Sequence, residues 1–467
     1  MINLLKLSSE KEDSSPNTWI WISGKGFRNK INEILREIIE KKNIKKTEII
    51  EKIAKNLNCS IGPPNRSIWS KEDKIPIQIL NNLLEYSDIK SKHKEYFKRN
   101  VVHVFTSRQE KVKAVKKVGP DISEIIGAYA ADGNITVLVR IYSEEEDILN
   151  SIIKMISLNL KIQEDGGKFF IRTSKISLAQ LEKIKKRFNI TYSLTYLFEL
   201  VDSDKIAVES IAKSIEKMFE IKGKIQKKKG AWSLRIYNKV FIRYFRLWGL
   251  KYGRKTETIK EPQIIRRGNL ESRQSFARGV ITFDGSVAYA GNVAITLKSK
   301  DLIEDIHEIM KLSNIKSVIS KREGGYEISL DKNNKDLINF IIPYTKKWFR
   351  IKDFFNGFSL RVKSAEEAKK ILYETYDKYN RVSVSFNDLV SYLQKNRSIE
   401  TNKVKEFDKT TAFYTKLRIL ERMQIVTGKH VVSRNKKGNF KERYKLYGLN
   451  KDVRKWRLPS YRIYEDT

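Results

Sequence analysis

The spacing of apolar residues divides the chain into three zones with different predicted structures. Residues 26–88 carry apolar side chains three and four positions apart, which is typical of helices packed on one face. In residues 110–363, runs of alternating apolar and polar residues predict half-buried strands, and helical patterns separate them. From about residue 365 the pattern predicts helices and then two strand-like runs. We therefore expect a multidomain protein of the α+β class.

The first zone has the order of a helix-turn-helix unit. Two amphipathic helices are predicted, in KGFRNKINEILREIIEKK and KTEIIEKIAKNLN, and the sequence GPPN follows them. A short segment with Arg66, Ser67 and Trp69 comes next, and then the closing helix IPIQILNNLLEYS. This order resembles the Cro/C1 type of repressor domain, which lays one helix in a DNA major groove, so these three residues are DNA-binding candidates. The alternative is a small helical bundle that contacts proteins.

The last zone resembles a winged helix. Three helices are predicted, in AEEAKKILYETYDKYN, SFNDLVSYLQKN and DKTTAFYTKLRILERMQ, and the strand-like runs HVVSR and ERYKLYGL follow them. The third helix would present four residues to DNA: Thr411, Tyr414, Lys416 and Arg418. The turn NKKGNFK between the strands would add Lys436 and Lys437. The alternative is that this hairpin is only a solvated edge protected by lysine.

The middle zone repeats one pattern of strand, helix, two strands and helix. The copies cover about residues 136–188, 196–252 and 292–344. Their strands are rich in isoleucine, valine, tyrosine and phenylalanine at alternating positions, so each copy predicts antiparallel sheet with helices on one face. The basic stretches GRKT and TKKW follow the second and third copies.

The charge of the chain indicates a polyanionic partner. Its 467 residues carry a formal net charge of +37, from 93 Lys and Arg against 56 Asp and Glu, which is more than solubility requires, so DNA is the first candidate. No run approaches the roughly 18 apolar residues of a membrane span, and no signal peptide is recognisable, so we expect a cytoplasmic, nucleoid-associated protein. A single cysteine and four scattered histidines exclude a disulfide within the chain and a zinc cluster, so any metal should be held by oxygen.

Two helices of the middle zone end on a carboxylate. SEIIGAYAADG ends with Asp132 and Gly133, and QSFARGVITFDG ends with Asp284 and Gly285. An anion in the last helical turn is disfavoured by the helix dipole, so something else should compensate both aspartates. The simplest alternative is that each Asp-Gly pair begins a turn, but two pairs at corresponding positions of a repeat favour a shared function.

These helices resemble the two motifs of single-chain LAGLIDADG homing endonucleases. IIGAYAADG and ARGVITFDG match the motif, and the surrounding repeats resemble that family's units over about residues 110–363. The resemblance implies that the helices pack side by side on a pseudo-twofold axis, with Gly127 and Gly279 at the close approach. It also implies that Asp132 and Asp284 together hold Mg²⁺ or Mn²⁺, that each following glycine is left-handed, and that sheet side chains read bases in the major groove.

The family also suggests one basic residue near each scissile phosphate. Lys255 in GRKT and Lys347 in TKKW occupy matching places, so they are the catalytic candidates beside the aspartates. General phosphate contact is an equally good interpretation of both lysines. The copy at about 136–188 departs from the family pattern, because it lies between the first motif and the unit that best matches the family. Which copy forms the first half of the DNA-binding surface therefore stays open. The ends of the chain do not match those of inteins, so we expect a free-standing protein.

We therefore expect a site-specific, Mg²⁺-dependent endonuclease that acts on double-stranded DNA as a monomer. A non-cutting DNA-binding regulator built on the same scaffold and an RNA maturase are the alternatives. The expected domains are an N-terminal segment (1–25), a helix-turn-helix domain (26–100), two LAGLIDADG halves (110–262 and 263–363) and a winged helix (364–467).

Overall fold

The structure is a computed structural model of the chain. It describes residues 2–8, 13, 18–59, 71–107, 111–188, 190–250, 255–287, 292–331, 333–355, 386–401, 411–434 and 440–450. Two compact units are present. The first consists of Met1–Asp284, Leu297–Ser313 and Lys321–Tyr326, and the second of Gly285–Thr296, Asn314–Ser320 and Glu327–Thr467. In the described part of the chain, no helix is both long and apolar enough to cross a membrane.

The N-terminal region combines helices with a small antiparallel sheet. Its elements, in chain order, are β1 (Ile20–Ser23), α1 (Phe27–Lys42), α2 (Lys46–Asn56), β2 (Lys74–Pro76), α3 (Ile77–Glu85), α4 (Lys90–Asn100), β3 (His103–Thr106) and β4 (Val112–Lys113). The strand order is β2-β1-β3-β4. The two amphipathic helices and the closing helix are confirmed, but the expectation that 26–88 is helical throughout was wrong at β2. Ile75 of that strand pairs with Ile22 of β1, and both are buried.

A buried ion pair joins this region to the rest of the first unit. Asp13 accepts hydrogen bonds from the Lys239 ammonium and, at 3.5 Å, from the Arg243 guanidinium. All three residues are buried. Near β4, the amide of Val115 donates to the buried Tyr244 hydroxyl at 3.1 Å. The N-terminal region is therefore packed against the repeat region through groups that lie far apart in sequence.

The first motif helix leads directly into a six-stranded sheet. Helix α5 (Pro120–Asp132) starts with proline at its first position, where no backbone donor is needed. The elements that follow are β5 (Gly133–Ser143), α6 (Glu146–Ile156), β6 (Gln163–Asp165), β7 (Lys168–Thr173), α7 (Leu178–Arg187), β8 (Thr191–Asp202), α8 (Lys205–Phe219), β9 (Lys224–Lys228), β10 (Ala231–Ile236) and α9 (Lys239–Leu247). The strand order is β6-β7-β5-β8-β10-β9.

The first two sequence copies share this one sheet. Strands β5 and β8 pair antiparallel in an unbroken ladder that runs from Gly133–Leu200 to Tyr142–Thr191. The first strand of copy one and the first strand of copy two are therefore neighbours, and both belong to the half that the first motif helix begins. One sheet therefore contains strands from both copies, and β5 of the first copy pairs with β8 of the second.

The second motif helix leads into a four-stranded sheet. After α10 (Gln263–Arg266), the elements are α11 (Leu270–Asp284), β11 (Gly285–Val287), β12 (Val293–Leu297), α12 (Lys300–Leu312), β13 (Ser317–Arg322), β14 (Gly325–Leu330) and α13 (Lys346–Phe355). The strand order is β11-β12-β14-β13. The helix predicted over 335–344 is only a 3₁₀ turn, Lys335–Phe340. Pro343 disfavours a helical conformation at the residue before it, so the regular helix begins only at Lys346.

The helices and the hairpin of the last zone are confirmed within the described residues. They are α14 (Phe386–Asn396), β15 (Ser398–Glu400), α15 (Thr411–Arg422), β16 (Val426–Arg434) and β17 (Phe440–Leu449), with strand order β15-β17-β16. The helix predicted over 365–380 lies outside the described residues.

One DNA-facing prediction in this zone was wrong. Lys416 is 6% exposed, and burial lowers the pKa of its ammonium. The reason is helical spacing, because Lys416 lies three residues after the buried Phe413 and next to the buried Leu417. It therefore faces the core of its domain, while Tyr414 and Arg418 on the same helix are exposed.

Candidate active site

The two motif helices pack in direct backbone contact, as predicted. A Cβ added to Gly127 would lie 2.1 Å from the carbonyl oxygen of Phe276, and a Cβ added to Gly279 would lie 2.4 Å from that of Glu124. Real Cβ atoms do not approach other atoms this closely, so only glycine allows this helix separation. The contact brings the C-terminal ends of α5 and α11 into one region of the first unit.

Each helix ends on its aspartate, but the following glycines are not left-handed. Gly133 is extended, with φ −78° and ψ 150°, and Gly285 starts strand β11 without a positive φ. The prediction of left-handed glycines was therefore wrong. At Gly133 the requirement is close approach, since an added Cβ would lie 2.5 Å from Cα of Tyr129. The chain passes straight from helix into strand, so each aspartate stands at a junction between the two.

An ion pair crosses between the two motif helices. The Arg278 guanidinium of α11 donates to the carboxylate of Glu124 on α5. Glu124 is 7% exposed, and burial raises the pKa of its carboxyl while Arg278 acts to lower it. Farther along α11, the buried Arg273 donates to both carboxylate oxygens of the buried Glu261, at 2.9 and 2.8 Å. The Arg278–Glu124 pair fixes the position of α11 along α5, and the Arg273–Glu261 pair holds α11 to the segment before α10.

Lys255 lies at the end of α5, within electrostatic range of both aspartates. Its ammonium donates to the carbonyl oxygens of Tyr129, Ala130 (2.9 Å) and Ala131 (3.1 Å), which belong to the last turn of the helix. It also lies 4.4 Å from the centre of the Tyr129 ring. Burial lowers the pKa of Lys255 to about 8, and the charges of Asp284 and Asp132 act in the opposite direction. The structure therefore brings together three of the four predicted catalytic residues.

The fourth catalytic candidate, Lys347, belongs to the second unit. It lies half-buried in the first turn of α13, and its catalytic role stays a prediction. Among the DNA-binding candidates, Arg66, Ser67, Trp69, Lys436 and Lys437 lie outside the described residues. Thr411 begins α15, and Tyr414 and Arg418 are exposed on that helix.

The sequence interpretation missed a charged cluster on the sheet face opposite the helices. Glu199 of β8 accepts hydrogen bonds from Lys228 at 2.6 Å and from Arg235 and Ser233 at 2.8 Å. Partial burial acts to raise the pKa of Glu199, but these bonds hold it at about 2. Alternation within each strand indicated that these residues point outward, but only the register places them side by side.

The donor atoms of the site fit a hard divalent cation. In the described part of the chain, no three or more His, Cys, Asp or Glu side chains group as metal ligands. The site therefore offers two carboxylates, at Asp132 and Asp284, together with backbone carbonyl oxygens. The carbonyls at the end of α5 already bind a positive group, the Lys255 ammonium. Oxygen donors of this kind suit Mg²⁺ or Mn²⁺ and not softer metals.

Comparison with known proteins gives distant similarities among solved structures. No protein-family model and no curated protein matches the chain. The homing endonuclease I-DmoI, in complex with DNA and Ca, is 14% identical over 48% of this chain and 88% of that chain, with a TM-score of 0.28. The homing endonuclease I-WcaI, bound to its DNA recognition sequence, is 10% identical over 50% of this chain and 87% of that chain, with a TM-score of 0.28. A mutant of I-SmaMI is 13% identical over 56% and 96%, with a TM-score of 0.29. Similarity at this level assigns no activity to the chain.

Proposed function

We propose that the chain is a homing-type endonuclease that hydrolyses both strands of DNA with a divalent metal ion. The observation that carries the proposal is the junction of the motif helices, where Asp132 and Asp284 are coupled electrostatically to Lys255. Mg²⁺ or Mn²⁺ is the proposed cofactor, and a monomer with internal pseudo-twofold symmetry is the proposed form.

The electrostatics of the helix ends support this function. A carboxylate in the last turn of a helix costs up to about 1 kcal/mol, and this chain has one at the end of each of two helices in backbone contact. A divalent cation held by both carboxylates would offset this cost, and the phosphate of a bound duplex would in turn balance the charge of the cation.

Each residue then has a defined task. Asp132 and Asp284 would hold the cation through their carboxylate oxygens. When bound, such a cation stabilises charge on the phosphate and lowers the pKa of a coordinated water. Lys255 is positioned to hold or accept a proton at Nζ, because its pKa of about 8 leaves on the order of a tenth of the amine neutral at pH 7.

The rest of the chain would supply DNA binding. We assign the N-terminal region to a helix-turn-helix domain and the last zone to a winged helix, in which Tyr414 and Arg418 remain available to DNA. With a net charge of +37, binding should weaken steeply as salt increases, because each phosphate contact contributes about −0.9 to the logarithmic slope. A footprint across three modules should involve on the order of ten such contacts.

The test is cleavage by aspartate variants. A randomised duplex library is incubated with the full chain and Mg²⁺ or Mn²⁺, the ends are sequenced, and the recovered site becomes the single substrate. Asp132→Asn and Asp284→Asn should each abolish or severely reduce double-strand cleavage, while duplex binding in Ca²⁺ persists. Asp121→Asn is the matched control, because Asp121 lies in the first turn of the same helix α5 and pairs with Lys217 at 2.8 Å. It should cut like the parent.

Three results would count against the proposal. A parent chain that binds duplex DNA tightly but does not cut it with any divalent metal would indicate the non-cutting regulator. A parent that cuts, with both asparagine variants cutting equally well, would remove the metal-ligand roles. Binding that hardly responds to salt would remove nucleic acid as the main partner.

A further inference from the structure

The two halves of the repeat differ by one insertion. In the second half, the strands that follow the motif helix, β11 and β12, are separated only by residues 288–292. In the first half, the corresponding strands β5 and β8 are separated by residues 144–190. The sheet orders agree with this correspondence, because β5-β8-β10-β9 matches β11-β12-β14-β13, and β7 and β6 are added beyond β5. Residues 144–190 are therefore an insertion at the far end of the β5–β8 ladder.

This insertion folds around a hydrophobic core of its own. Its helices α6 and α7 contribute Leu149, Ile152, Leu181 and Ile184, which cluster with Ile171 of β7. Val139 and Ile141 of β5 belong to the same cluster. The helices thus cover one face of the added strands. The other face is open and continues the sheet face that carries the Glu199 cluster.

The open face of the insertion carries cations in an arrangement that is unfavourable without an anion. Arg140 of β5 lies directly opposite Arg172 of β7 in the strand register, and like charges in such a pair repel each other. The Arg140 guanidinium lies 5.3 Å from the centre of the Phe170 ring, which fixes its position. Lys168 extends the row along β7. Its side chain is 53% exposed and lies 3.6 Å from the Glu144 carboxylate, an exposed ion pair that contributes little and that a phosphate could replace. On β6 the same face carries one carboxylate, Asp165, at the end that pairs with Lys168.

We propose that residues 144–190 lengthen the DNA-contacting surface of the first half, with Arg140, Lys168 and Arg172 bound to duplex phosphates. This inference rests on the proposed function and adds an asymmetric target site to it. A twisted antiparallel ribbon fits a major groove about 12 Å wide. The phosphate of a duplex supplies the anion that the opposed arginines lack.

The strand register gives the position of the extra contacts. Arg140 lies seven residues beyond Gly133, where the motif helix ends, and Lys168 lies at the level of residue 144. A strand advances about 3.4 Å per residue, and a duplex advances about 3.4 Å per base pair. For a strand that follows the groove, these residues contact the target about 7 to 11 base pairs from the scissile bonds, on one side only.

The experiment compares two charge-removing double variants of the full chain. Arg172→Gln with Lys168→Gln removes two cations from the open face. The control, Lys183→Gln with Lys186→Gln, removes two exposed cations from α7, on the helical side of the same insertion. Both are tested with the duplex recovered from the randomised library, by hydroxyl-radical footprinting and by binding at several salt concentrations.

The open-face variant should lose protection beyond about seven base pairs from the cut on one side. Its logarithmic salt slope should become less steep by about 1.8, which is two contacts at about 0.9 each. Its thermal stability without DNA should be unchanged or slightly higher, because an unfavourable arginine pair is removed. The control should keep the footprint, and together these results support the inference.

The inference is overturned if the open-face variant keeps the full footprint and slope, if the control changes as much, or if the variant is destabilised without DNA. In each of these cases the parent still binds and cuts, so the proposed function stands alone. A parent chain that binds no duplex overturns both.

Discussion

Substitution of Gly279 by alanine tests whether backbone contact between the motif helices holds the site together. The added Cβ would lie 2.4 Å from the carbonyl oxygen of Glu124 and 2.6 Å from the amide nitrogen of Ala128. A close carbon–oxygen contact is about 3.3 Å, so the helices must separate by roughly 1 Å. No side-chain rotation can relieve the contact, because both atoms are backbone. Overpacking of this kind costs about 1–3 kcal/mol.

The same displacement should affect chemistry more than binding. Asp132 and Asp284 lie on opposite helices, so a separation of roughly 1 Å changes the distance between them directly. Misplacement by about 1 Å can reduce a catalysed rate on the order of 100-fold. We therefore expect Gly279→Ala to cut the recovered duplex about 100-fold more slowly, with much smaller loss of affinity.

Gly119→Ala is the matched control. Gly119 immediately precedes α5, the helix against which Gly279 of α11 packs. Its φ of −116° suits any residue, and an added Cβ meets no atom within 4 Å. Urea unfolding, single-turnover cleavage and duplex binding are measured for both variants. If Gly279→Ala unfolds at the same urea concentration as Gly119→Ala and cuts at the parental rate, then the close helix contact does not position the aspartates.

The remaining predictions concern charges. Burial lowers the pKa of Lys255 to about 8 and Asp284 acts to raise it, so Asp284→Asn without metal should lower this pKa further. The pH dependence of amine labelling at Lys255, followed by mass spectrometry, measures the pKa. A higher pKa in the variant would contradict the assigned coupling. Since the unfolded chain keeps this proton to about pH 10.4, Lys255 destabilises the fold below pH 8, and this cost disappears as pH rises from 8 to about 10.4. Asp13→Asn removes the buried carboxylate that contacts both Lys239 and Arg243 and should cost about 3–5 kcal/mol. Asp88→Asn, which removes an exposed pair with Lys41, should cost under about 1 kcal/mol. Equal urea midpoints for the two variants would refute the structural role of Asp13.

The sequence by itself determined the elements and the motif. Period-2 runs and capped amphipathic helices are local properties, so the strands and helices of all three copies could be located without coordinates, apart from the 3₁₀ turn before Pro343. The glycines of the motif helices predicted their close contact, and both aspartates lie at the predicted helix ends. Local signals also explain the error at Lys416, since its spacing from Phe413 already places it on the buried face.

Only the tertiary structure decided how these elements combine. The pairing of β5 with β8 joins residues that are up to 67 positions apart, from Gly133 to Leu200, and it turns two apparent repeats into one half with an insertion. The coupling of Lys255 to both aspartates likewise depends on three separate segments of the chain. Contacts of this kind produce no periodic pattern in the sequence. Their energy depends on strand register, on burial and on charges that are distant along the chain. The opposed arginines at positions 140 and 172 became visible for the same reason, since each belongs to an ordinary alternating strand until the register sets them face to face.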